Sequence, residues 1–197
     1  KMAVFSGNVM VRQGTTTMQT TELKVHYAGE GSAIEGDSQQ RVFQALVQRR
    51  AQGEPVAHLT GEREFFGRPF LVSPHTLIPR PDTETLVETV LETLPETPLR
   101  AVDLGTGSGA IGVTLALERP AWSLILSDAS RPALAVARDN AERLGARVAL
   151  VCCDWLDGLG GPFDLIVSNP PYIDPQDHHL EQGDLRFEPR SALAAND

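Results

Sequence analysis

Polar and apolar positions alternate with period two over the first part of the chain. Leu23, Val25 and Tyr27 interleave with Glu22, Lys24 and His26, and Ala3, Phe5, Val9 and Val11 share one parity of an earlier run that Gly7 interrupts. Such alternation predicts strands. Gly29, Gly31, Ser32 and Gly36 then read as a loop or linker. A helical period follows. Ser38 reads as its N-cap, Val42, Leu46 and Val47 share one face, and Gly53 and Pro55 stop it after Gln52. Glu64 to Phe66 and Pro69 to Val72 flank Gly67-Arg68 and predict a short hairpin. Pro74, Pro79 and Pro81 keep the next stretch extended. Asp82 opens a helix with Leu86, Val87, Val90, Leu91 and Leu94 on its apolar face.

From Leu99 the pattern becomes strand, helix, strand, helix, strand, loop, strand. Arg100–Leu104, Ser123–Ser127, Val148–Cys152 and Phe163–Val167 read as strands, and Ala110–Glu118 and Pro132–Leu144 as helices. Strands alternating with helices predict an α/β fold with a parallel sheet covered on both faces. The expected organisation is a β-rich appendage and linker over 1–37, a helix, hairpin and connecting helix over 38–98, and a sheet domain over 99–197.

Composition narrows the function. The chain has 197 residues, 41% of them hydrophobic, and a formal net charge of -9. That supports a folded core and weakens DNA or RNA as the main partner. No apolar run approaches the roughly 18 residues of a membrane span, and the first residues lack a leader pattern. The chain therefore reads as soluble and without an export signal. Cys152 and Cys153 are adjacent and read as small, partly buried strand residues, since neighbouring cysteines rarely bridge each other.

Candidate chemistry sits at the strand ends. Asp103, Leu104, Gly105, Thr106, Gly107, Ser108 and Gly109 form a glycine-rich turn between a strand and a helix, where open α/β sheets bind ligands. Gly105, Gly107 and Ala110 also fit the dinucleotide spacing, so a nicotinamide dinucleotide competes as ligand. Asp103 disfavours a diphosphate and suits the ammonium and sulfonium of S-adenosylmethionine. Asp128 ends the second strand, about 20 residues on, where a carboxylate can accept from both ribose hydroxyls; helix capping is its alternative, though Ser130 can fill that role. Asp154 and Trp155 follow the third strand and either flank an adenine or form an ordinary solvated loop.

Asn169-Pro170-Pro171-Tyr172 follows the fourth strand. A neutral amide nitrogen is a poor nucleophile. The Asn169 side-chain oxygen and the Pro170 carbonyl can grip its two N–H groups and aim the lone pair at a sulfonium methyl. Two prolines stiffen the corner, and Tyr172 can pack on a planar group. Positioning of this kind can lower a barrier by roughly 7–11 kcal/mol, with no metal and no covalent intermediate. A rigid turn is the structural alternative. His178-His179 lies among acids without a clear ligand spacing and reads as a solvated loop. Arg80 is either a pocket residue or a surface arginine.

From about Arg41 to Asp197 the chain resembles the HemK/PrmC family, the glutamine-N5 methyltransferases of peptide-chain release factors. The words that carry the likeness are Gly53-Glu54-Pro55-Val56-Ala57-His58-Leu59-Thr60-Gly61, Leu77-Ile78-Pro79-Arg80-Pro81-Asp82-Thr83-Glu84, the Asp103–Gly109 turn, Val167 to Ile173 and Asp184-Leu185-Arg186-Phe187-Glu188-Pro189. Adenine- and cytosine-amino methyltransferases share the Asn-Pro-Pro-Tyr word, so a nucleic-acid N6-adenine-type enzyme is the alternative. The resemblance implies a Rossmann-like class I S-adenosylmethionine methyltransferase sheet, incomplete here at its first four strands. It implies a cytoplasmic enzyme that methylates a glutamine in a Gly-Gly-Gln motif of release factors. Gly105–Gly109, Asp128 and Trp155 would contact the cofactor, and Asn169, Pro170, Pro171 and Tyr172 would hold the glutamine.

Residues 1 to about 35 instead resemble a piece of an LptA/OstA-type β-repeat, in Phe5 to Val11 and Thr21 to Tyr27. Those proteins carry lipopolysaccharide across the periplasm, so a non-catalytic fusion is a further alternative. A fourth strand left as a sheet edge is expected to weaken the fold or promote self-association.

Overall fold

The computed structural model describes residues 2–13, 16–26 and 33–195, with side chains described from Arg41 onward. The chain divides into two compact units, residues 1–45 and 46–197. In the first, β1 (Met2–Gln13) and β2 (Thr16–His26) form an antiparallel hairpin. Their register shifts between Ser6 and Val9, where Gly7 breaks the sequence alternation, as a bulge does. Tyr27, Gly29, Gly31 and Ser32 lie outside the described residues. Helix α1 (Ala33–Ala51) begins before Ser38, so Gly36 is helical and not part of a linker. One interior glycine costs a helix only about 1 kcal/mol.

In the second unit, α2 (Val56–Thr60) precedes an antiparallel hairpin of β3 (Glu62–Phe65) and β4 (Arg68–Leu71). The turn falls at Phe66-Gly67, one residue before the expected position. Both residues have positive φ, 50° and 71°, as tight hairpin turns of the right twist require. Two carboxylates hold it: Phe66 N donates to Glu84 Oε1 and Gly67 N to Glu64 Oε1, each at 2.9 Å. This register buries both Phe65 and Phe70, which meet edge to face at 5.9 Å.

Helix α3 (Asp82–Thr93) leads to the sheet strands β5 (Arg100–Leu104), β6 (Ser123–Asp128), β7 (Val148–Cys152) and β8 (Leu165–Ser168). All pair in parallel, in the order β7-β6-β5-β8. The fold is thus the expected Rossmann-like sheet. Strand β8 starts later than Phe163 because Asp164 closes the start of β5 instead: Arg100 N donates to its Oδ2 at 2.8 Å, and its own N donates to Arg100 O.

Helices α4 (Ala110–Glu118) and α5 (Arg131–Leu144) connect the strands. Every residue of α4 from Ala110 to Ala116 is buried, which explains its lack of a polar face. Each large aliphatic side chain so buried contributes about 1.5–3 kcal/mol, and that anchors the turn preceding the helix. Helix α5 is amphipathic, burying Ala133, Leu134, Ala137 and Ala141. Ser130 Oγ caps it by accepting from Ala133 N at 3.3 Å. No helix among the described residues is long and apolar enough to cross a membrane.

Candidate active site

Parallel pairing brings four strand ends to one side of the sheet, where such folds bind ligands. A cavity of about 300 Å³ lies there. Of the residues singled out in the sequence, Gly105, Thr106, Gly107, Ser108, Asp128, Asp154, Trp155, Asn169, Pro170 and Pro171 line it. Asp103, Gly109 and Tyr172 do not. Gly109 is the N-cap of α4 and packs against Ala137. Tyr172 is 79% exposed and faces a neighbouring hollow.

The turn's shape follows from its glycines. Gly105 and Gly107 have φ of 66° and 57°, and a Cβ on either would meet nothing within 4 Å. Conformation therefore demands glycine there, and both backbones face open cavity. Thr106 N donates to Ser127 O at 2.9 Å and Gly107 N to Asp128 Oδ2 at 2.9 Å, tying the turn to the end of β6. Asp128 Oδ1 accepts from Ser130 N at 2.8 Å. Each carboxylate oxygen can accept more than one bond, so Asp128 retains capacity toward the cavity.

Asp103 sits fully buried beneath the turn. Its Oδ2 accepts from Thr106 Oγ1 at 2.6 Å and from Gly112 N at 2.9 Å, while Oδ1 is buried without a partner. Burial pushes this carboxyl up to about 6; the two hydrogen bonds oppose that rise, and nearby Asp128 adds to it. Asp103 lies below the turn and not on the cavity wall, and its charge favours a cationic ligand such as S-adenosylmethionine in the cavity above. It repels a diphosphate.

Ser168 Oγ donates to Leu104 O at 2.9 Å, joining the ends of β8 and β5. Asn169 follows, with Nδ2 at 3.5 Å from Thr83 Oγ1 in the first turn of α3. Among the described residues, neither Asn169 Oδ1 nor the Pro170 carbonyl accepts a hydrogen bond. Both are free to receive N–H donors. Trp155 has φ of 46° and is 55% exposed at the cavity.

Three residues escape sequence reasoning. Thr83 orients the Asn169 amide. Asn140 on α5 is fully buried and bridges two elements: its Oδ1 accepts from Leu71 N at 2.7 Å, and its Nδ2 donates to Leu71 O at 3.0 Å and Ser108 O at 2.8 Å. Glu188 is buried and pairs with Arg80. Thr83 and Glu188 belong to words that carry the family resemblance, which gave them no role, and Asn140 shows no signal beyond a polar residue on an apolar helix face.

The remaining candidates lie apart. His179 Nδ1 is 2.7 Å from Asp177 Oδ1 on an exposed turn, and the backbone N–H of His179 holds the Asp177 carboxyl below its ordinary range. Cys152, at the end of β7, is exposed, contrary to expectation, and among the described residues β7 pairs only with β6; Cys153 is half-buried, and neither cysteine is in a disulfide.

The methyltransferase small domain family matches residues 81–185, and the PrmC N-terminal domain matches residues 33–61. The chain is 54% identical over 163 residues to the release factor glutamine methyltransferase of Escherichia coli (strain K12), covering 82% of this chain and 59% of that protein. It is 55% identical over 163 residues to the Salmonella typhimurium protein of the same name, again covering 59% of that protein. The Neisseria gonorrhoeae protein of that name is 58% identical over 151 residues, covering 75% of this chain and 55% of the relative. The chain thus spans a little over half the length of the curated relatives it matches. By the span of that match and the words it shares with HemK/PrmC proteins, the chain belongs to the methyltransferase small domain family.

Proposed function

We propose that this chain carries the catalytic site of a protein-glutamine methyltransferase, which transfers a methyl group from S-adenosylmethionine to the side-chain amide nitrogen of a glutamine in peptide-chain release factors. The observation that carries the reading is the meeting of two unlike half-sites in one cavity. The glycine turn with Asp128, Asp154 and Trp155 forms one wall, and Asn169–Pro171 forms the other. The release factor as acceptor rests on the printed names of the relatives. Such an enzyme works in the cytoplasm.

S-adenosylmethionine, when bound, supplies an electrophilic methyl on a sulfonium. The protein's contribution is placement. Asp128, which holds Gly107, would receive the ribose hydroxyls, and Trp155 and Asp154 would hold the adenine by an apolar face and an acceptor oxygen. Asp103, buried below the turn, would favour a cationic cofactor over a neutral one. Asn169 Oδ1 and the Pro170 carbonyl would accept hydrogen bonds from the two amide N–H groups and turn the nitrogen lone pair toward the methyl; the nitrogen that gains the methyl gives up one proton to solvent as S-adenosylhomocysteine leaves. With Nδ2 turned toward Thr83 Oγ1, the Asn169 side-chain oxygen is left for the acceptor amide. Preorganised acceptors of this kind need no reorganisation as the reaction proceeds.

Labelled methyl transfer tests this with three acceptors: a release factor, the same factor lacking its glutamine, and DNA. Only the first should be labelled. Asn169→Ala should lower kcat about 100-fold or more while leaving cofactor affinity within about threefold. Asp128→Ala should weaken cofactor binding about tenfold or more, since it removes charged hydrogen bonds and releases Gly107. Labelling of DNA but not of the release factor, or full activity in the Asn169 variant, overturns the reading.

A further inference from the structure

A second hollow of about 270 Å³ adjoins the cavity, and Asn169 and Pro170 line both. Its wall includes Arg80, Asp82, Thr83, Tyr172 and Leu185. Arg80 is held there by an unusual partner. Its Nη2 pairs with Glu188 Oε1, whose side chain is completely buried, whereas the Arg80 side chain is 38% exposed. The other oxygen of Glu188 accepts from Ile78 N at 2.8 Å. One carboxylate therefore grips both residues flanking Pro79, which lines the first cavity.

Fold stability gives no reason for this device. Burying a carboxylate is expensive, and a well-packed apolar pair of the same shape commonly holds a fold equally well. What the ion pair supplies is direction. A guanidinium has five N–H donors in a rigid fork, and Glu188 engages it at Nη2 alone. Among the described residues no other acceptor is bound to the Arg80 guanidinium, and Arg80 lines the hollow. Its charge is already balanced by Glu188, and Asp82 lines the same hollow. The site thus suits a neutral acceptor rather than an anion.

We propose that Arg80, aimed by Glu188, donates to a main-chain carbonyl of the peptide flanking the amide held at Asn169, so that the second hollow is a subsite for acceptor peptide. The inference rests on the proposed function. Arg80 is the contact residue and Glu188 a positioning residue acting through it. Leu86 and Leu185, which also line the hollow, cover the apolar flank of that peptide.

The test measures binding, by calorimetry with S-adenosylhomocysteine present, of a short peptide holding one glutamine between glycines. Arg80→Met should raise the peptide Kd about tenfold and leave the Kd for S-adenosylhomocysteine within about twofold. Glu188→Gln should also weaken the peptide, and adding it to Arg80→Met should bring no further loss, because its effect passes through Arg80. Thermal melting of each variant verifies folding, and Arg80→Lys, which keeps a charged donor at similar bulk, should retain part of the affinity that Arg80→Met loses. An unchanged peptide Kd in Arg80→Met, additive losses in the double variant, or a wild-type chain that ignores the peptide at millimolar concentration each overturns the proposal. Failure of wild-type methyl transfer to a release factor despite normal peptide binding counts against the proposed function alone.

Discussion

Asp103 is a carboxylate kept where charge is costly. With its carboxyl raised from 3.8 to about 6, the native state holds a proton that the unfolded chain releases earlier. The ligand-free fold is therefore favoured at low pH, and the advantage is lost as pH rises from about 4 through about 6. The difference above pH 6 is on the order of 3 kcal/mol. A cationic ligand above the turn favours the ionised form. Cofactor affinity should accordingly tighten as pH rises through about 6, with proton release on binding below that pH. Asp103→Asn should abolish this pH dependence, weaken the cofactor and raise the melting temperature of the ligand-free chain at pH 7.5. Titration calorimetry in buffers of different ionisation enthalpy checks it; an affinity flat from pH 5 to 7.5 in the native chain contradicts it. At this scale the glycine turn, Asp128 and Asn169 were legible because each depends on its own backbone position. Thr83, Asn140 and Glu188 were not, because their partners lie far along the chain, Asn140 bonding Leu71 and Glu188 bonding Ile78 and Arg80.

Among elements, α4 shows how closely helix and sheet approach. A Cβ on Gly112 would lie 2.7 Å from Leu126 Cδ1 and 2.9 Å from Asp103 Oδ2. Alanine gains about 1 kcal/mol of helix propensity over glycine, but overpacking a filled core costs about 1–3 kcal/mol and here also disturbs the Asp103 acceptor of Gly112 N. Gly112→Ala should therefore lower stability and weaken the cofactor together. Urea unfolding decides between the terms, and a raised midpoint shows that the helix can lift without penalty. The elements set off by clear turn signals are readable: β5, β7 and α4 fall where the pattern puts them. Errors arose where a local signal competed with a distant one. The hairpin turn was set by Glu84 from α3 and by burial of both phenylalanines, not by the glycine dipeptide alone. Asn140 adds a further link, since one side chain joins β4 to the cofactor turn.

At the scale of the whole molecule, the sheet among the described residues ends in β7 on one side and β8 on the other. Among the described residues β8 pairs only with β5, and Ile166 on it is 51% exposed. A strand edge with unpaired backbone groups and an apolar side chain is a template for pairing. We expect concentration-dependent self-association through β8, suppressed by Ile166→Lys. Size-exclusion chromatography with light scattering over a range of concentrations measures this, and a strictly monomeric native chain rules it out. The alternation of strands and helices makes the parallel pairing readable, but the strand order and the neighbourhood of its last strand depend on packing that no local pattern encodes.

The two indoles of this chain occupy opposite worlds. Trp122 is 5% exposed and bonded through Nε1 to Pro95 O, while Trp155 stands 55% exposed in the doorway of the cavity. One chromophore is thus shielded and constant, and the other changes surroundings whenever the doorway fills. The protein carries its own optical gauge of occupancy, with an internal reference built into the same polypeptide.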